Sequence, residues 1–74
     1  MTEERSRCIK FGARLRLMRE AKGLSQEQLA ELASLHRTYV GSVERGERNP
    51  TLLILFRLAG ALKIPLSTLV EGLD

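Results

Sequence analysis

Turn-forming residues divide this chain into five short segments, and the apolar residues inside each segment have the spacing of a helix. Apolar positions recur three or four residues apart, which places them on one helical face. No stretch of useful length alternates as a half-buried strand would. The pattern therefore predicts an all-α fold of five helices. The residues that mark the breaks are Gly23, Ser25, Ser34, Gly46, Asn49, Pro50, Pro65 and Gly72.

The predicted helices cover about 6–22, 37–45 and 51–63, and two further helices open at Ser25 and Pro65. Each is amphipathic, so its apolar stripe is expected to face a common core. The predicted core residues are Phe11, Leu15, Met18, Leu29, Leu32, Ala33, Val40, Val43, Leu52, Leu55, Phe56, Ala59, Leu62, Leu66, Leu69 and Val70.

Length and residue content exclude several classes of function. We expect residues 1–74 to form a single domain, with 1–8 as a mobile tail. One cysteine (Cys8) and one histidine (His36) are too few for a zinc site, and the only aspartate is Asp74. No run approaches the roughly 18 apolar residues of a membrane span, and the charged start does not resemble a signal peptide. We therefore expect a cytoplasmic protein that is not an enzyme and has no cofactor, metal or membrane partner.

Positive charge is concentrated at the beginning of the chain. The formal net charge is +3, and residues 1–22 hold seven Lys or Arg against three Glu, whereas residues 51–74 balance to zero. Such an excess favours a polyanionic partner. The run of basic residues near the start is interpreted either as a solvated face or as an arm that touches a nucleic-acid backbone. Its members are Arg5, Arg7, Lys10 and Arg14.

The most informative spacing is the short connection between the second and third helices. The second helix opens with a capping box, because the Ser25 hydroxyl can accept from the Gln28 amide while the Gln28 side chain reaches back. Only about four residues separate it from the third helix, and so short a turn predicts a steep crossing, with Ala30 and Ala33 as the small residues at the contact. The third helix is then expected to present polar residues outward, where they can read base edges in a major groove. These residues are Arg37, Thr38, Tyr39, Gly41 and Ser42.

Four stretches resemble the Cro/lambda-repressor-like helix-turn-helix class, also called the XRE family. They are 15–19 (LRLMR), 23–30 (GLSQEQLA), 37–50 (RTYVGSVERGERNP) and 58–62 (LAGAL). Within this class the chain most resembles the controller proteins of restriction–modification systems. The resemblance implies a compact five-helix fold in which helices two and three form the helix-turn-helix. It also implies a transcriptional regulator that binds double-stranded DNA sequence-specifically.

The resemblance further implies a role for individual side chains. An arginine can bind guanine O6 and N7 together, and a threonine methyl can touch a thymine methyl. The implied base contacts are Arg37, Thr38 and Ser42, and the implied backbone contacts are Gln26, Tyr39, Arg45, Arg48 and Asn49. Arg19 and Glu44 match an ion pair that ties the first helix to the third, although a weak surface pair is the alternative.

The chain departs from the family pattern at four positions. Ser34 stands where the turn usually has glycine, and a left-handed serine costs roughly 1–2 kcal/mol. Leu17, Leu53 and Ile54 stand where polar residues are usual. His36, directly before the third helix, is interpreted as a cap or a solvated side chain, and Tyr39 as a DNA contact or a core residue.

Apolar residues of the fourth and fifth helices predict a homodimer interface, because palindromic operators require two-fold proteins. The alternative is that they complete a small core. The predicted interface residues are Leu53, Ile54, Leu66, Leu69, Val70 and Leu73. Such a dimer would regulate by occupying its operator, with RNA polymerase as a further partner. The competing functions are an antitoxin or partner-binding adaptor of the same fold, and a phage-type repressor.

Overall fold

Residues 2–74 are described by the computed structural model, and within them five helices form and no strand does. The all-α, five-helix prediction is confirmed. The helices are α1 (Glu3–Ala21), α2 (Gln26–Ala33), α3 (Arg37–Glu44), α4 (Leu52–Leu62) and α5 (Leu66–Leu69).

The first four helices each begin at a side chain that accepts a backbone N–H, which satisfies one of the unpaired donors at a helix start. Thr2 and Thr51 cap α1 and α4 through their hydroxyls. The predicted capping box of α2 is present, with Ser25 Oγ 3.0 Å from the Gln28 amide and Gln28 Oε1 2.8 Å from the Ser25 amide. His36 caps α3 through a ring nitrogen.

Helix α1 begins earlier than its apolar pattern predicts. Most of the expected tail, from Glu3 onward, is helical, while Met1 lies outside the described residues. Thr2 provides the cap, and Glu3 and Glu4 lie in the first turn, where negative charge is favourable. An ion pair of 3.0 Å between Glu3 and Arg7 adds to this turn. The polar residues thus support a helix start that apolar periodicity does not reveal.

The core draws its largest side chains from all five helices. Several predicted core positions are wrong, because Leu32, Leu52 and Phe56 are each more than half exposed. Leu58, which the prediction omitted, is buried instead. Helix α4 is apolar on nearly every side, so periodicity alone does not identify which side faces the core. The large apolar side chains with less than 2% exposure are Leu15, Leu29, Leu58, Leu62, Leu69, Val40 and Val43.

Close backbone approach fixes α3 against α1. A Cβ added at Gly12 of α1 would collide with the backbone carbonyl oxygens of Val43 and Glu44. Only glycine permits this approach, so α1 supports the last turn of α3 without an intervening side chain. The position of the third helix is therefore set by backbone contact as well as by the core.

The connection from α2 to α3 turns at Ser34, which has a left-handed φ of 57°. The Leu35 amide donates to the carbonyl of Ala30 at 2.8 Å, which closes the end of α2. Leu35 is half-buried against the core, between the two helices. Serine replaces the usual glycine here at the energetic cost of the left-handed conformation.

Arg14 of α1 holds the last helix in place. Its Nε lies 3.1 Å from the carbonyl oxygens of both Thr68 and Leu69, at the end of α5. A cation at a helix end satisfies carbonyls that have no partner within the helix. In the part of the chain that the structure describes, no helix is long and apolar enough to cross a membrane.

Candidate nucleic-acid interface

The first turn of α3 presents two polar side chains to solvent. Arg37 and Thr38 are both exposed, as predicted. His36 Nδ1 lies 2.9 Å from Thr38 Oγ1 and 3.4 Å from the Thr38 amide nitrogen. The turn therefore combines an unburied guanidinium with a threonine that is held by the cap of its own helix.

Ser42 does not face outward, and the expectation that it contacts bases is wrong for this conformation. Its side chain is buried, with 6% exposure of the residue. Its hydroxyl donates to the Tyr39 carbonyl at 2.7 Å and accepts from Arg48 Nε at 3.3 Å. Gly41, also expected to face outward, is buried beneath the side chains of Gln26 and Arg45. Side chains of α2 and of the residues that follow α3 thus cover what the isolated helix would expose.

The end of α3 and the loop after it carry exposed polar side chains. Arg45 and Arg48 are exposed cations, and Asn49 is exposed beside them. Arg45 Nε lies 3.0 Å from Glu47 Oε2, and this pairing raises the pKa of Arg45 and lowers the pKa of Glu47. Exposed pairs of this kind are weak, so Arg45 can exchange Glu47 for a phosphate at small cost.

Tyr39 lies at the boundary between the core and the surface. It is half-buried against the core, yet part of it reaches solvent. Burial raises the pKa of its hydroxyl, and the positive charge of Arg48 opposes part of that rise. A neutral phenol can donate to a phosphate oxygen. The side chain is therefore available as a hydrogen-bond donor beside Arg48.

The predicted ion pair between Arg19 and Glu44 is present and almost fully enclosed. Arg19 Nε lies 2.7 Å from Glu44 Oε2, and Nη2 lies 3.0 Å from Oε1. The side chains are 10% and 4% exposed, so this is the structural tie and the alternative of a weak surface pair is wrong. The hydrogen bond to Glu44 raises the pKa of Arg19, although burial opposes that rise.

Two further hydrogen bonds complete this cluster. Arg19 Nη1 donates to the Leu24 carbonyl at 2.8 Å, and Gln26 Nε2 donates to Glu44 Oε1 at 3.0 Å. Glu44 thus connects α1, the start of α2 and the end of α3. Gln26, predicted to contact a phosphate, is half-buried and uses one of its two amide donors internally, which leaves the other for a ligand.

A family model described as "Helix-turn-helix" (HTH_3) matches residues 15–69. This chain belongs to the HTH_3 helix-turn-helix family. The match covers α2, α3 and their connection, so it includes every side chain of the candidate interface.

Several relatives of this HTH_3 chain are control proteins, and others are a phage immunity repressor and HTH-type transcriptional regulators. It is 62% identical over 48 residues to control protein C.SmaI of Serratia marcescens, which covers 65% of the chain and 57% of that relative. The chain thus spans little more than half the length of C.SmaI. These values confirm the resemblance stated from the sequence.

Solved structures agree with the fold. The restriction–modification controller protein C.AhdI from Aeromonas hydrophila matches with a TM-score of 0.83 and 56% identity, covering 84% of this chain and 94% of that chain. The controller protein C.Esp1396I, solved as a tetramer in complex with its natural 35 base-pair operator, matches with a TM-score of 0.82 and 31% identity. The alignment covers 90% of this chain and 88% of that one.

The predicted dimer residues of this HTH_3 protein occupy different environments. Leu69 has 0% exposure and belongs to the core, so its expected role in a dimer contact is wrong. Leu53 is 72% exposed, as an interface residue should be. The remaining members are half-buried against the core, which agrees in part with the alternative that they complete it. They are Ile54, Leu66, Val70 and Leu73.

Helix α4 exposes two large apolar residues that the interface prediction omitted. Leu52 and Phe56 join Leu53 on its outer side, and we call these three residues the α4 patch. Phe56 also lines a surface hollow together with Leu32 of α2. The signal was present in the sequence, because α4 contains more large apolar residues than one core-facing stripe can bury.

Proposed function

We propose that this chain is a transcriptional regulator that binds double-stranded DNA sequence-specifically as a homodimer, and that it serves as the controller protein of a restriction–modification system. The observation that carries this proposal is the exposed pair Arg37 and Thr38 on the first turn of a helix that is buried on its other sides. Its similarity to C.SmaI, C.AhdI and C.Esp1396I supports the same role.

In this proposal Arg37 and Thr38 enter the major groove. A guanidinium distinguishes guanine from other bases by its paired acceptors, and a threonine contributes a hydroxyl and a methyl. Because Ser42 is buried and hydrogen-bonded, the proposed base contacts are these two residues alone.

Contacts to the DNA backbone are proposed at the other end of α3 and at the start of α2. Arg45 lies at the first location, with Arg48 and Asn49 in the following loop, and Gln26 lies at the second. Tyr39, in the first turn of α3, is proposed as a further backbone contact near the base-reading residues. Phosphate contacts fix the register of a protein on the duplex and supply much of its affinity. Helix starts attract phosphate through their free N–H groups, which favours Gln26.

The α4 patch is the proposed centre of the homodimer interface. Three large apolar residues lie exposed on one short helix, and a chain of 74 residues gains stability by covering such surface. A two-fold dimer would place one α3 at each half of a palindromic operator, about 34–36 Å apart. Leu53 and Phe56 carry this part of the proposal, with Ile54 at its edge.

The proposed regulation acts through occupancy of the operator in the cytoplasm and needs no catalytic step. The bound dimer blocks RNA polymerase or contacts it from an adjacent site. An adaptor or antitoxin would use the α4 patch for another protein and would show no preference among duplexes. A phage-type repressor would share the DNA contacts and differ only in the gene it controls.

The test is to select duplexes with the purified protein and then compare Arg37→Ala with the parent on a selected and a random duplex. We expect Arg37→Ala to lose about 1–3 kcal/mol on the selected duplex and little on random DNA. Lys10→Ala, which removes one exposed positive charge from α1, is the matched control. It should lower the affinity for both duplexes to a similar, small extent. No preference among duplexes for the parent protein would overturn the proposal and favour the adaptor.

A further inference from the structure

His36 contacts the side chain of Thr38 as well as its backbone. Its Nδ1 lies 2.9 Å from Thr38 Oγ1 and 3.4 Å from the Thr38 amide nitrogen. Both side chains are exposed at the tip of α3. Among the described residues, His36 is the hydrogen-bond partner of the Thr38 hydroxyl. The protonation of Nδ1 therefore determines whether this hydroxyl donates or accepts.

The amide contact determines the direction of the hydroxyl contact. A backbone N–H can only donate, so Nδ1 must be unprotonated to cap α3. The proton of the neutral ring then lies on Nε2. With Nδ1 acting as an acceptor, the hydroxyl of Thr38 must donate its single proton to His36. The proton of Thr38 is thereby directed back into the protein.

We propose that His36 is a positioning residue that makes Thr38 a hydrogen-bond acceptor toward DNA. A hydroxyl whose proton is engaged offers only lone pairs to a base edge. In the major groove it can accept from the amino group of adenine or cytosine, and it has no proton for guanine O6 or N7 or for thymine O4. The threonine methyl stays free for apolar contact. The inference rests on the proposed function, since it names what the first turn of α3 recognises.

The experiment begins with duplexes selected by the parent protein. The base pair that Thr38 reads is the pair at which Thr38→Val changes the preference among the four bases. On the strand that Thr38 faces at that pair, the parent should prefer adenine or cytosine, whose amino groups lie in the major groove. His36→Ala frees the hydroxyl proton, so guanine or thymine should gain on adenine or cytosine by about two- to tenfold at the same pair.

Two matched variants separate positioning from capping. His36→Asp keeps an acceptor at the cap, so the base preference should be retained even though the added negative charge weakens binding to all duplexes. In the Thr38→Val background, His36→Ala should leave the base preference unchanged, because the hydroxyl through which it acts is gone. If His36 were only a structural cap, His36→Ala would lower the affinity for DNA by the same factor in the parent and in the Thr38→Val variant.

The ring of the free protein provides a measurement that needs no DNA. Nitrogen and carbon chemical shifts of His36 should report the neutral form with its proton on Nε2. A ring protonated on Nδ1, or a His36→Ala variant with the base preference of the parent, would overturn this inference and leave the proposed function intact. A parent protein that selects no sequence would overturn both.

Discussion

The first turn of α3 and the outer side of α4 are both exposed, but they are built in opposite ways. The α3 turn consists of polar groups held by a cap, on a helix whose other end is fixed by the enclosed cluster around Glu44. The α4 patch consists of three large apolar side chains on an open surface. A polar site gains specificity because its hydrogen-bonding groups point in fixed directions. An apolar surface instead gains free energy of association from the area that it removes from water. The contrast supports the proposal that α3 reads the sequence and that α4 mediates self-association.

The largest expected effect comes from the ion pair beneath α3. Glu44→Gln leaves the guanidinium of Arg19 enclosed without its counter-charge, which should lower the free energy of unfolding by about 3–5 kcal/mol. Urea unfolding followed by circular dichroism measures the change. Glu47→Gln, which breaks the exposed pair with Arg45, is the control and should leave the midpoint unchanged. Equal effects of the two variants would show that enclosure does not matter here.

The next effect concerns the α4 patch. Leu53→Glu should weaken the dimer by about 2 kcal/mol or more, because it places a charge at the centre of the proposed interface, and it should leave the monomer folded. Sedimentation at several concentrations measures the association. Leu17→Glu introduces the same charge at a residue of α1 that is 68% exposed, and it should have no effect on association. An unchanged dimer in Leu53→Glu would remove the α4 patch from the interface.

A smaller effect is expected at the two left-handed residues that end α2 and α4. Ser34 and Lys63 have φ values of 57° and 58°. Replacing either with glycine should raise the free energy of unfolding by about 1 kcal/mol, because glycine adopts this conformation without strain. Thermal unfolding of Ser34→Gly and Lys63→Gly measures both. A loss of stability in either variant would mean that the side chain makes contacts worth more than the strain.

Features of the fold that depend on neighbouring residues could be predicted from the sequence, whereas a contact between distant residues could not. Local signals were sufficient for the capping box at Ser25 and for the breaks at Gly23 and Gly46, because each depends on residues close in the chain. The Arg19–Glu44 pair came from the family motif, since no local pattern brings together two residues 25 positions apart.

The failures have two physical causes, which are hydrogen bonds that periodicity does not reveal and ambiguity of the helical face. The helical pattern predicts that Ser42 is exposed, but its hydroxyl is hydrogen-bonded to the Tyr39 carbonyl and to Arg48. In α4, an apolar residue at nearly every position leaves the buried side undefined, so Phe56 was assigned to the core and Leu58 was not. Only the packing of α4 against α2 and α5 decides between them.

The assignment of α3 to DNA and α4 to self-association can be tested in a single titration. Backbone amide signals of the isotope-labelled protein would be followed while a selected duplex is added to the preformed dimer. We predict that the largest changes fall at residues 36–39 and 45–49, with residues 52–56 little affected. Changes concentrated at 52–56, with 36–39 unmoved, would contradict the assignment of DNA recognition to the third helix.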